Sequence, residues 1–94
     1  MEEIRNEIIP FVAKETTISI PTINKVKEFV SISMRYKYNA SVESGRYCID
    51  AKSIMGLFSL DVSKPLNLII EYPAGEEEIA NDFLESIKEF ITNE

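Results

Sequence analysis

Ser53 heads the stretch Ala51-Lys52-Ser53-Ile54-Met55-Gly56-Leu57-Phe58-Ser59-Leu60, in which Ile54, Leu57, Phe58 and Leu60 recur every three or four positions with Met55 beside them. That spacing predicts a short helix over Ser53–Asp61, capped by the Ser53 hydroxyl. A capping serine sits beside unpaired backbone N–H groups at the positive end of the helix dipole, where a phosphate ester would be stabilised. Taken alone, the pattern also describes a plain structural cap. Gly56 costs such a helix about 1 kcal/mol relative to alanine and suits a place where another backbone or a partner comes close.

The other chemistry-bearing residues narrow the choices. Histidine is absent, which removes Ser–His and Cys–His catalysis, imidazole metal ligation and any phosphohistidine relay. Cys48 is the only cysteine, so neither an internal disulfide nor a multi-cysteine zinc site can form, and its place in a predicted strand reads as a small core residue. Tyr36, Tyr38 and Tyr47 could stack a ligand, although aromatics are ordinary strand residues. Glu76-Glu77-Glu78 precedes an apolar helical stripe and complements its dipole, so no metal site is expected there. Carboxylate pairs such as Glu77 with Asp82 fall on a solvated helix face, and nothing in the sequence buries or orients them for acid–base work. The chain reads as a non-enzyme that needs no cofactor.

The elements that must position these residues follow from the whole chain. Ninety-four residues, 45% hydrophobic and 28% charged, suit one folded core. The net charge of -6 repels phosphate backbones and anionic lipid, so neither nucleic acid nor a membrane is an expected partner. The chain opens with Met1-Glu2-Glu3 rather than the basic start and apolar run of a secretory signal, and a cytoplasmic location is expected.

Ile4, Ile8, Ile9 and Val12 predict a short helix or arm ending near Ile9, before Pro10, whose apolar face would cover core or a neighbouring subunit. Thr16–Ile20 alternates as a strand. Thr22 is placed to cap a helix with Ile23, Val26, Phe29, Val30 and Met34 in one stripe. Tyr38, Ala40 and Val42, then Tyr47, Ile49 and Ala51, alternate around Gly45 as a hairpin. Leu66, Leu68, Ile70 and Tyr72 form a fourth strand. Ile79, Ala80, Phe83, Leu84, Ile87, Phe90 and Ile91 share one face of a closing helix. The order strand, helix, strand, strand, helix, strand, helix predicts an α+β fold, an antiparallel sheet with helices on one face.

With that order in place, Lys52-Ser53-Ile54-Met55-Gly56-Leu57-Phe58-Ser59-Leu60 resembles the regulatory-serine segment of HPr, the small phosphocarrier of the bacterial sugar phosphotransferase system. The resemblance extends through element order and apolar pattern over residues 16–93. It implies an open-faced β-sandwich of four antiparallel strands with three helices on one side, an HPr-like domain over residues 14–94 and an added extension over residues 1–13. A dimer through that extra segment is a separate expectation, not one the resemblance implies. In HPr proteins of many Gram-positive bacteria a dedicated kinase phosphorylates this serine from ATP, and the phosphoprotein binds a transcriptional regulator of carbon use. Carried over, Ser53 would be the phosphoacceptor and Ile54, Met55 and Phe58 the apolar partner contacts. The HPr kinase or such a regulator would be the partner.

The family's carrier histidine, in a His-x-Arg-Pro pattern at the start of the first helix, has no counterpart. An ungapped alignment from Ser53 puts Thr22 at the histidine position, with Asn24 and Lys25 where arginine and proline are expected. Thr22 and Asn24 therefore mark a degenerate carrier site, because an alkyl phosphate on threonine lacks the reactive P–N bond of phosphohistidine. The resemblance implies a regulator of carbon and sugar-phosphotransferase control that keeps the serine switch without the carrier. Two alternatives stand beside it: a small-molecule-binding α+β module using Tyr36, Tyr38, Tyr47 and Tyr72, and a structural paralogue without phosphorylation.

Overall fold

The computed structural model describes residues 9–92. The elements are β1 (Phe11–Ile18), α1 (Ile23–Ser33), β2 (Ala40–Ser44), β3 (Tyr47–Asp50), α2 (Ile54–Phe58), β4 (Leu66–Pro73), α3 (Glu77–Ser86), a 3-10 turn (Lys88–Phe90) and β5 (Ile91–Thr92). The expected order holds, and the sheet is antiparallel throughout, in the order β3-β2-β4-β1-β5. It has five strands rather than the expected four. The helix or arm expected before Pro10 lies, apart from Ile9, outside the described residues.

The period-2 pattern of β4 explains the layering. Leu66, Leu68, Ile70 and Tyr72 are buried, whereas Asn67, Ile69, Glu71 and Pro73 on the other face are half-buried, as in a sheet covered on one side. Against the buried face lie Val26, Phe29 and Val30 of α1, Leu57 of α2, and Ala80 and Phe83 of α3, joined by Ile18, Ile20, Val42, Ile87 and Phe90 in one core. The stripe predicted for α1 is narrower than expected, because Ile23 and Met34 at its ends are exposed.

Two boundaries differ from the sequence expectation for the same reason. The strand predicted over Thr16–Ile20 instead runs from Phe11 to Ile18, paired along its whole length with β4 from Pro73 to Leu66. The partner's length set its start, since Phe11-Val12-Ala13 has no strand alternation of its own. The apolar period of α3 continues past Ser86, yet the helix stops there. Ser19 N–H donates to Phe90 O at 2.8 Å, and Thr17 and Ile18 pair with Thr92 and Ile91. These distant backbone bonds take the segment as a fifth strand and leave Phe90 buried beside Phe29, ring edge to face, at 6.1 Å.

Cys48 is exposed rather than a core residue. β3 is an edge strand in which Ile49 pairs with buried Val42 and Cys48 with Glu43, so Cys48 shares the uncovered face with Glu43.

Candidate functional site

The chain enters α2 through a tight local network. Asp50 Oδ1 accepts from Lys52 N–H at 2.9 Å and Asp50 O from Ser53 N–H at 3.0 Å. Extended backbone at Ser53 then lets its Oγ accept from Gly56 N–H at 3.1 Å. The predicted cap is therefore formed, on a helix shorter than expected. Among the first N–H groups, which have no acceptor within a helix, that of Gly56 is held by the Ser53 side chain, while those of Ile54 and Met55 precede the Leu57 N–H bond to Ser53 O at 3.0 Å.

Leu57 fastens α2 to the core, with Ile54 and Leu60 half-buried against it. On the opposite side Met55 is 77% and Phe58 40% exposed, leaving two large apolar side chains available for contact. Gly56 marks a close approach, as expected, but of a side chain rather than of another backbone or a partner. A Cβ placed there would meet Ile49 Cγ2 of β3 at 2.6 Å, so the close approach is a side chain of the same core.

Lys52 is more than a member of the motif: its Nζ donates to Tyr36 O at 2.8 Å, tying the entry of α2 to the segment that follows α1. Sixteen residues separate the two, and no local pattern could have indicated this bond.

Thr22 and Asn24 are both exposed at the start of α1. Thr22 Oγ1 accepts from Lys25 N–H at 3.1 Å, forming the predicted cap. The Lys25 ammonium lies 5.9 Å from the centroid of the Phe90 ring. A hydroxyl, an amide and an ammonium occupy this helix end.

The tyrosines do not form one platform. Tyr47 is exposed on the β3 edge, and Tyr72 is buried in β4. Tyr36 and Tyr38 meet edge to face at 6.0 Å, with Phe11 on Tyr38 at 5.8 Å and Phe83 stacked on Tyr36 at 4.6 Å. The Tyr36 hydroxyl donates to Glu71 O at 2.6 Å; burial, helped by the neighbouring Tyr72, Tyr38 and Glu71, pushes its pKa up to about 12. The Tyr38 hydroxyl donates to Glu76 Oε1 at 2.7 Å, and this bond raises its pKa. Glu76 thus holds Tyr38, while Glu77 and Glu78 form the first turn of α3.

No helix among the described residues is long and apolar enough to cross a membrane, and no group of three or more His, Cys, Asp or Glu among them could hold a metal ion.

Comparison with known proteins adds an independent observation. The family model described as the PTS HPr component phosphorylation site matches residues 23–93, a match that begins one residue after Thr22. The phosphocarrier protein HPr from Bacillus anthracis str. Ames superimposes with a TM-score of 0.61 at 22% identity, over 81% of this chain and 95% of that one. HPr-C-His from Thermoanaerobacter tengcongensis gives 0.56 at 29% identity, over 80% and 91%. Crh, the Bacillus subtilis catabolite repression HPr, gives 0.52 at 26% identity, over 81% and 95%. No curated protein sequence matches.

Proposed function

The chain belongs to the HPr family, and from that premise we propose that it is a regulatory member which carries no phosphohistidine and is switched by phosphorylation of Ser53. The observation that carries this reading is the Lys52-Ser53-Ile54-Met55-Gly56 segment, folded as a capped helix start, in a chain without histidine. Transfer of the γ-phosphoryl group of ATP to Ser53 Oγ forms a P–O ester and releases ADP, with the hydroxyl proton passing to the kinase. The new group brings about 1.5 to 2 negative charges next to the first-turn N–H groups of α2, which favour them. Exposed Met55 and Phe58, with half-buried Ile54, supply the apolar part of a surface whose charge has just changed. A protein partner that reads both features, the HPr kinase or a transcriptional regulator of carbon use, distinguishes the modified from the unmodified protein.

The kinship to Crh, named for catabolite repression, supports a role in carbon regulation. Loss of the carrier function follows from the chemistry at Thr22 and Asn24, and the protein acts by binding rather than by catalysis.

The test is incubation with an HPr kinase and ATP, followed by mass spectrometry. One phosphate on Ser53, absent in Ser53→Ala, is expected. An unmodified Ser53 under conditions that modify authentic HPr would overturn the switch. In parallel, phosphoenolpyruvate and the first enzyme of the phosphotransferase system should leave the protein unlabelled, and a labelled intermediate would refute the loss of the carrier.

A further inference from the structure

The edge of the sheet at β1 is only partly closed. Ser19 N–H donates to Phe90 O on the β5 side, while Pro10 O accepts from Ala74 N–H on the β4 side. Backbone groups alternate between the two sides of a strand, so Val12, Lys14, Thr16 and Ile18 bond toward β4, and Phe11, Ala13, Glu15 and Thr17 point the other way. There β5 pairs only with Thr17 and Ile18, and no other described strand lies beside β1 on that side. The N–H and C=O groups of Phe11, Ala13 and Glu15 are thus left without a strand partner among the described residues, although the far side of the same stretch is paired with β4 throughout.

The other edge of the sheet offers much less. β3 is four residues long, and its Asp50 O already accepts from Ser53 N–H. Large apolar side chains also gather at the β1 end: Ile9, Phe11 and Val12 are 59%, 57% and 36% exposed. An open edge with an apolar flank is a template for one more strand.

We propose that this edge pairs with the same edge of a second copy of the chain, antiparallel about a twofold axis at Ala13, so that the two sheets run on as one. In that register Ala13 exchanges both backbone bonds with Ala13 of the second copy, and Phe11 does so with the second copy's Glu15. Val12 stands opposite the second copy's Lys14. Every pair lies within β1, and no like charges face each other. Moving the axis to Lys14 or Glu15 sets two lysines or two glutamates directly opposite, which is unfavourable. It also runs Phe11 or Ala13 against Thr17, already paired with Thr92. Moving it to Val12 pushes the pairing onto Ile9 and Pro10, outside the strand. So short a seam belongs to the weak end of specific interfaces, roughly below 1,200 Å², and the dimer is expected to dissociate with a constant of about 10 μM to 1 mM.

Sedimentation equilibrium of the full chain from about 5 μM to about 1 mM tests this, with the average mass expected to rise from monomer toward dimer. Ala13→Pro removes an outward N–H and leaves every bond to β4 in place, because proline is tolerated on the open side of an edge strand. It should be monomeric over the whole range, with the circular dichroism and melting temperature of the dilute native chain. In a Cys48→Ser background, Ala13→Cys should oxidise to an intermolecular disulfide, since opposed Cα atoms of a hydrogen-bonded pair lie about 5.5 Å apart. Val12→Cys, displaced from its own counterpart, should cross-link much more slowly. The cross-linking decides independently of whether Ala13→Pro folds. A chain that stays monomeric to the highest concentration, as it would with residues 1–8 laid over this edge, overturns the proposal. So does a dimer that Ala13→Pro leaves intact, as an exchange of whole strands would give, or equal cross-linking at Val12 and Ala13.

Discussion

At the residue scale, the same position carries opposite expectations from local and tertiary physics. Alanine at Gly56 improves helix propensity by about 1 kcal/mol, but its Cβ would meet Ile49 Cγ2 at 2.6 Å. Overpacking of this kind costs about 1 to 3 kcal/mol, so Gly56→Ala should destabilise on balance. Chemical denaturation checks this, and Ile49→Ala in the same chain should reverse the effect of Gly56→Ala into a gain. Tyr36 makes a pH-dependent prediction. Its hydroxyl titrates near 12 in the folded chain against an ordinary value of 10, so between those values the unfolded chain loses this proton while the folded chain keeps it. Stability must therefore fall as pH rises from about 10 to about 12. Tyr36→Phe should remove that component of the decline in denaturation midpoints measured across this range, at a loss of about 1 kcal/mol at neutral pH from the missing bond to Glu71 O.

Among the elements, α2 and the segment after α3 place their phenylalanines in opposite surroundings. Phe58 is 40% exposed on α2 and Phe90 is 1% exposed before β5. Phe90→Ala should cost about 3 to 5 kcal/mol, because it empties a site packed on Phe29 that cannot collapse freely. Phe58→Ala should change stability much less; under the proposed Ser53 switch it should instead weaken capture of the phosphorylated protein by a regulator. Unfolding midpoints combined with a pull-down separate the two effects. The apolar period that runs through Phe90 and Ile91 was legible in the sequence as burial. Its conversion from helix to strand was not, because the acceptor for Ser19 N–H and the partner of Thr17 and Ile18 lie more than seventy residues away. Similarly, the alternation of Tyr47, Ile49 and Ala51 held the signal that Cys48 points away from the core, and the general preference of cysteine for burial obscured it.

For the whole molecule, one contiguous core joins the buried face of the sheet to all three helices. A single cooperative transition is expected, with tyrosine fluorescence and far-ultraviolet circular dichroism coincident through urea unfolding. Separate midpoints for the two signals would show that the helical layer and the sheet unfold independently. The net charge of -6 also means that the compact state works against its own repulsion, so moderate salt should raise the midpoint slightly.

What the sequence determined by itself was set by local chemistry. The element order, the caps at Thr22 and Ser53, the turn at Gly45 and the loss of histidine chemistry each depend on residue type and on neighbours within a few positions. The resemblance to HPr rested on one short segment of the same kind, together with the element order and apolar pattern. Tertiary structure alone decided the ends of β1 and α3, the fifth strand, the Ile49 contact that explains Gly56, and the bond from Lys52 to Tyr36 O. These outcomes share a physical reason: each depends on which distant backbone or side chain fills the other half of a contact.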